Sequence, residues 1–231
     1  MMMRRPVLAM LSIVMLVAGF LLFGSLSTPS AAEEAVHVPA PALDPADTRS
    51  SATAIFAGGC FWGVEGVFSH VRGVTRATSG YHGGSAATAN YDAIGSGTTG
   101  HAESVRVTYD PRIVSYGTLL RIYFSVITDP TTLNRQGPDS GSQYRSAIIP
   151  ANASQRSVAT AYLAQLARGR YWSAPIVTRI EAPQIFYPAE AYHQDFMERH
   201  PDHGYIRRWD APKLANMRSL YPTLYVAAAA Q

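Results

Sequence analysis

The chain has 231 residues, of which 47% are hydrophobic and 15% charged, with 19 Lys+Arg against 16 Asp+Glu. That apolar balance excludes a disordered chain. A single cysteine, Cys60, excludes an internal disulfide and any Cys-rich zinc or iron–sulfur site. No repeat of solenoid or propeller length is visible, and the length fits one or two domains.

Residues 1–32 read as a signal peptide or N-terminal membrane anchor. Arg4 and Arg5 precede an apolar stretch from Val7 to Phe23, and small residues at Ser30 and Ala32 favour a cut after Ala32. The apolar run is close to the length of a membrane span, so an uncleaved anchor is the rival. Setting this segment aside removes two arginines and no acid, and the net charge falls from +3 to +1. The basic balance then gives no support to nucleic-acid binding. The expected location is outside the cytoplasm, in the periplasm if the leader is cut. Residues 33–50 hold Pro39, Pro41 and Pro45 without an apolar period, and read as a flexible linker. Residues 51–231 read as one folded domain.

Within that domain, Thr53–Ala57 is β-prone and ends at Gly58-Gly59. Phe61, Val64, Val67, Phe68 and Val71 then recur at helical spacing. Val74–Ser79 is a second strand, followed by a glycine-rich loop from Gly80 to Gly100. His101–Tyr109 alternates, placing Glu103, Val105, Val107 and Tyr109 on one face. Ser115 reads as the N-cap of a helix carrying Leu119, Leu120, Tyr123 and Ile127. A second polar loop, 129–141, precedes a strand at Tyr144–Ile149 and a helix at Ser154–Ala167. A strand at Ile176–Ile180 and a helix at Ala189–Arg199, opened by Pro188, complete the reading. The order through Ile149 is β-α-β-β-α-β. It predicts an α+β, two-layer ferredoxin-like (split βαβ) core with long functional loops and a C-terminal extension.

Gly95-Ser96-Gly97-Thr98-Thr99-Gly100 matches a dinucleotide fingerprint in letters only, because it follows a loop and opens a strand. His193, His200 and His203 lack a recognised metal spacing and a fourth ligand. Cys60 is the stronger signal. It sits where a strand gives way to a helix, behind two glycines, and helix N-termini stabilise thiolates. The alternative is a small buried hydrophobe. Glu103 falls on the face expected to be buried, where burial raises a carboxyl's pKa and lets it serve as an acid. The alternative there is an exposed strand-end glutamate. Tyr81, Asp139 and Tyr144 lie at the ends of the two long loops, and tyrosine hydroxyls bind oxygens that gain charge.

Several stretches, in order, resemble the A-type peptide methionine sulfoxide reductases. They are Gly58-Gly59-Cys60-Phe61-Trp62-Gly63-Val64-Glu65, Gly80-Tyr81-His82-Gly83-Gly84, Thr99-Gly100-His101-Ala102-Glu103, Asp129-Pro130-Thr131, Asn134 to Asp139, Gln143-Tyr144-Arg145-Ser146, Phe186 to Glu190 and Tyr192-His193-Gln194. The resemblance covers residues 53 to 222. It implies a ferredoxin-like core and thiol-dependent reduction of methionine S-sulfoxide, free or in proteins, through a Cys60 sulfenic acid. It assigns catalysis to Cys60, Glu103, Tyr81 and Tyr144, and substrate binding to Phe61, Trp62, Asp139 and His193. It implies no metal and no organic cofactor. Many relatives carry a resolving cysteine in a Gly-Tyr-Cys segment, where this chain has Gly204-Tyr205-Ile206. The implied reductant is therefore an external thiol, such as a thioredoxin-like protein. Two other readings stand beside this one. A cysteine hydrolase would use His101 or His193 as base. A sulfoxide-binding module would bind without turnover.

Overall fold

A computed structural model describes residues 35–227 and residue 230. The leader expected at residues 1–32 lies outside the described residues. The elements are β1 (Ala52–Gly58), α1 (Phe61–Ser69), β2 (Val74–His82), α2 (Tyr91–Ile94), β3 (Ala102–Tyr109), α3 (Tyr116–Ile122), β4 (Arg135–Gln136), β5 (Asp139–Ser140), β6 (Ser146–Ile149), α4 (Ala153–Gly169), β7 (Arg179–Ile180), β8 (Phe186–Pro188), α5 (Phe196–Arg199) and α6 (Ala211–Leu220).

The main sheet has the order β7-β6-β1-β3-β2-β8. Its central four strands pair antiparallel, and β7 joins β6 in parallel. That is the arrangement expected of β-α-β-β-α-β, with β3 inserted between β1 and β2. The strand alternation holds: Glu103, Val105, Val107 and Tyr109 are all buried. The apolar stripe of α1 is buried with them, and Phe61, Val67 and Phe68 have no exposed surface. The core lies between the sheet and the helices. A smaller cluster of Ala57, Ala102, Ala147 and Ile149 covers the opposite face.

Local chemistry sets the element starts. Ser115 accepts a hydrogen bond from the Thr118 amide and caps α3, and Asn152 does the same for α4 through the Gln155 amide. The glycine-rich stretch 80–100 is not all loop, since Asn90 caps the short α2 through the Ala93 amide. The helix expected over 189–199 is cut to Phe196–Arg199, because Asp195 takes a left-handed conformation (φ 53°) that a helix cannot continue through. Residues 189–195 form irregular turns instead, directly after β8, which pairs with Gly80–His82.

The expected flexible linker is corrected over its described part. Residues 35–50 run extended across the helices. Val38 is fully buried, and the carbonyls of Val38, Pro39 and Ala40 accept bonds from Arg121, Tyr162 and Gln165. Asp44 accepts from the Ser115 hydroxyl and the Gly117 amide. Without an apolar period the segment is anchored by one buried side chain and by its own carbonyls, which polar side chains satisfy.

Candidate active site

Cys60 ends the β1–α1 turn and occupies the N-cap of α1. Gly59 makes that turn possible. Its φ is 90°, and a Cβ there would come within 2.5 Å of Gln136 Cβ. Gln136 cannot retreat, because its amide bridges the Asp129 amide, the Asp129 carbonyl and the Thr132 hydroxyl. Gly59→Ala is expected to destabilise the fold by about 2 kcal/mol or more. Chemical denaturation of the two proteins measures this directly, and an unchanged midpoint would refute the turn argument.

The thiol is buried and sits beside acids. Burial pushes the Cys60 pKa well above its ordinary value. The negative charges of Asp210, Glu103 and Asp139 push the same way, and the Trp62 amide opposes them. The stabilisation of a thiolate expected from the helix start is thus opposed by burial. The helix N-terminus favours the anion, but desolvation outweighs it, and the neighbouring carboxyls add to that effect where they are ionised. Burial thus favours the protonated form of resting Cys60.

Glu103 stands on β3, buried, and its Oε2 accepts a hydrogen bond of 3.0 Å from the Phe61 amide, the residue after the thiol. Burial raises its pKa to about 8, helped by the charges of Asp139 and Asp210 and opposed by the Phe61 bond. It is therefore protonated near neutral pH and able to give a proton beside Cys60.

Tyr144 ends the turn before β6. Burial raises its pKa, and the charges of Glu103, Asp139 and Cys60 add to the rise. Tyr81 behaves differently. It lies across the ladder from Glu103, but its hydroxyl donates to Glu190 Oε2 at 2.7 Å. That carboxylate also accepts from the Tyr91 amide through Oε1. Burial works to raise the Glu190 pKa, yet these two donors hold it below the ordinary value. Tyr81 is thus a brace for α2.

The residue that α2 delivers is Tyr91, which sequence reasoning missed. Burial lifts its pKa to about 12, and the next causes are the charges of Glu103 and Cys60. Tyr91 and Tyr144 thus both lie near enough to the carboxyl and the thiol to feel their charge. The only signal for Tyr91 was Asn90 as a helix cap inside a loop without periodicity.

Phe61 is fully buried, and Trp62 is half-buried beside it. Trp62 stacks on Phe196 with ring centres 3.9 Å apart. Its indole N–H donates to His193 Nδ1 at 3.1 Å, which leaves the proton of His193 on Nε2. His193 is buried against Phe61, Tyr91 and Tyr192. It packs and aims Trp62. Asp139 lies at the thiol's small cavity, with Gln136, Tyr205, Trp209 and Lys213, and accepts a short hydrogen bond from the Tyr205 hydroxyl. All eight predicted site residues thus fall in one region. Tyr81 alone has its polar group committed elsewhere.

The hydrolase reading fails on His101. Its Nδ1 accepts from the Gly84 amide, and its Nε2 contacts the Ser85 carbonyl at 3.0 Å. Both nitrogens hold the 84–85 turn, and neither is free to act as a base.

A family model described as peptide methionine sulfoxide reductase matches residues 52–223. A peptide methionine sulfoxide reductase MsrA 2 of Mesorhizobium japonicum is 55% identical over 183 residues, covering 79% of this chain and 94% of that protein. One of Synechocystis is 50% identical over 188 residues, covering 80% and 88%. Among solved structures, methionine sulfoxide reductase A of Corynebacterium diphtheriae superposes with a TM-score of 0.56 at 29% identity, covering 75% of this chain and 87% of that one. Mxr1 of Saccharomyces cerevisiae in reduced form gives 0.59 at 28% identity, covering 70% and 92%.

Proposed function

The chain belongs to the peptide methionine sulfoxide reductase family, and from that premise we propose that it reduces methionine S-sulfoxide by the Cys60–Glu103 pair. It is a thiol-dependent oxidoreductase that repairs oxidised proteins and acts on free methionine sulfoxide. The observation that carries the residue assignment is the pairing of a buried thiol with a protonated carboxyl across the first turn of α1.

Cys60 Sγ attacks the sulfoxide sulfur. Glu103 gives its proton to the sulfoxide oxygen, and the hydroxyls of Tyr91 and Tyr144 hydrogen-bond that oxygen as its negative charge grows. The S–O bond breaks, the oxygen passes to Sγ, and the thiol proton goes to the Glu103 carboxylate. Methionine leaves and Cys60 is a sulfenic acid. Phe61 and Trp62 hold the substrate's methyl group, His193 fixes Trp62, and Asp139 with Tyr205 orders the loop over the cavity.

Cys60 is the only thiol in these 231 residues. An external thiol, such as a thioredoxin-like protein, therefore condenses with the sulfenic acid, releasing water. A second thiol then frees Cys60. The leader, with Arg4-Arg5, the apolar run and the small residues before Glu33, supports export to the periplasm, or anchoring there if it stays uncut.

Two experiments test this reading. With a dithiol present, only the S epimer of separated methionine sulfoxides should yield methionine. A single turnover without dithiol should add one oxygen atom to Cys60, seen by mass spectrometry; turnover of the R epimer at equal rate would defeat the reading. The phenols separate by role. Tyr91→Phe and Tyr144→Phe should each slow the chemical step by about 10-fold or more. Tyr81→Phe should lower thermal stability with a smaller loss of rate, because it breaks the Glu190 brace. Equal rate losses in all three would return Tyr81 to the oxygen site.

A further inference from the structure

Asp210 precedes α6 and has no exposed surface, and neither carboxylate oxygen has a hydrogen-bond partner among the described residues. Such burial is costly and calls for a reason. The carboxyl lies against the first turn of α1. A Cβ added at Gly63 would meet Asp210 Oδ1 at 2.1 Å and Cγ at 2.7 Å. Gly63 is thus the residue that lets a carboxyl approach three positions after Cys60. Glu103 reaches the same turn through the Phe61 amide. Two carboxyls therefore flank the helix start that carries the thiol, and the reaction proposed above uses only one.

We propose that Asp210 is a tuning residue for Cys60: its buried carboxyl, set against the first turn of α1, slows oxidation of the sulfur by peroxides between turnovers. The inference rests on Cys60 being the nucleophile. After burial, the charge of Asp210 is the largest cause of the raised Cys60 pKa. Asp210 itself is pushed up to about 7 by burial, with Lys213 opposing and Asp139 assisting. The other groups facing this centre are Glu103, Tyr91, Tyr144 and Tyr205. Lys213, also buried, lines the thiol's cavity one turn into α6 and counters Asp210.

The chemistry at stake is the oxidation ladder. A peroxide converts the thiol to a sulfenic acid and water, and a second peroxide carries that to a sulfinic acid that thiols do not reduce. Anionic sulfur reacts faster at both steps, so a nearby negative charge that disfavours the anion protects the site. The chain's only cysteine has no neighbour to trap the sulfenic acid as a disulfide.

The test is iodoacetamide alkylation of Cys60 against pH, read by mass, in the full-length protein. Asp210→Asn should lower the midpoint by about one unit, so that alkylation at a fixed pH below it is about tenfold faster. It should also gain sulfinic acid faster under peroxide. Lys213→Met should move the midpoint upward. A folded Asp210→Asn protein with an unchanged or raised midpoint overturns the proposal. If that protein does not fold, an unchanged or lowered midpoint in Lys213→Met does so. Alkylation needs no sulfoxide turnover, so a failure of the nucleophile assignment would show separately, as sulfoxide reduction surviving Cys60→Ser.

Discussion

Cys60→Ser is expected to lower methionine sulfoxide reduction by at least about 10³-fold while the fold stays intact. The substitution fits the buried N-cap position, and serine is a better cap than cysteine, so stability should hold or rise. What disappears is the chemistry. A sulfoxide sulfur must be attacked by a soft, polarisable atom that can then carry its oxygen, and a hydroxyl does neither. No other thiol in the chain can substitute. The decisive measurement is methionine release under excess dithiol, beside the melting temperature of both proteins. A variant that kept a tenth or more of the rate would remove Cys60 from the mechanism.

Glu103→Gln carries the second largest effect, a loss of about 10²- to 10⁴-fold in the chemical step. It also predicts a change of pH profile. The Glu103 pKa is raised, mainly by burial, to about 8. The active acid is therefore present below that pH and lost above it, and the wild-type rate should fall as pH rises through about 8. The glutamine variant has no proton to lose, so its residual rate should not show that fall. The same shift has a consequence for stability. A carboxyl whose folded pKa lies above its unfolded value stabilises the fold at low pH, and this contribution is lost as pH rises through the folded value. Glutamine keeps the neutral shape, so the variant should gain stability over the wild type on the alkaline side. A variant with full rate, or with the same alkaline fall, would show that another group supplies the proton.

The core and the reacting pair were legible because both rest on short-range rules. Alternation along β3 put Glu103 on the buried face, and the strand-to-helix junction put Cys60 at a helix start. The ionisation of Cys60 was not legible. It depends on Asp210 and Asp139, which arrive from segments 79 or more residues away in the chain. Tyr91 was hidden for another reason. It lies in a glycine-rich stretch where periodicity has nothing to report, and a four-residue helix sets its direction. Tyr81 stood in a recognisable motif on the correct strand face, but its hydroxyl is decided by Glu190, which only the fold brings near. The strap at 35–50 looked like a linker because its contacts are made by carbonyls, which all sequences share.

The main sheet ends in two very short edges. β7 contributes two residues at one side, and β8 contributes three at the other, closing on Pro188, which has no amide hydrogen to donate. An enzyme that repairs oxidised proteins spends its working life among damaged, partly unfolded chains. Strands this short give a loose polypeptide little to pair with, although β8 covers only Gly80–His82 of β2 and, among the described residues, Val74–Thr78 has no strand on its outer side. The enzyme's two outermost strands are thus poor places for a damaged client to add a strand.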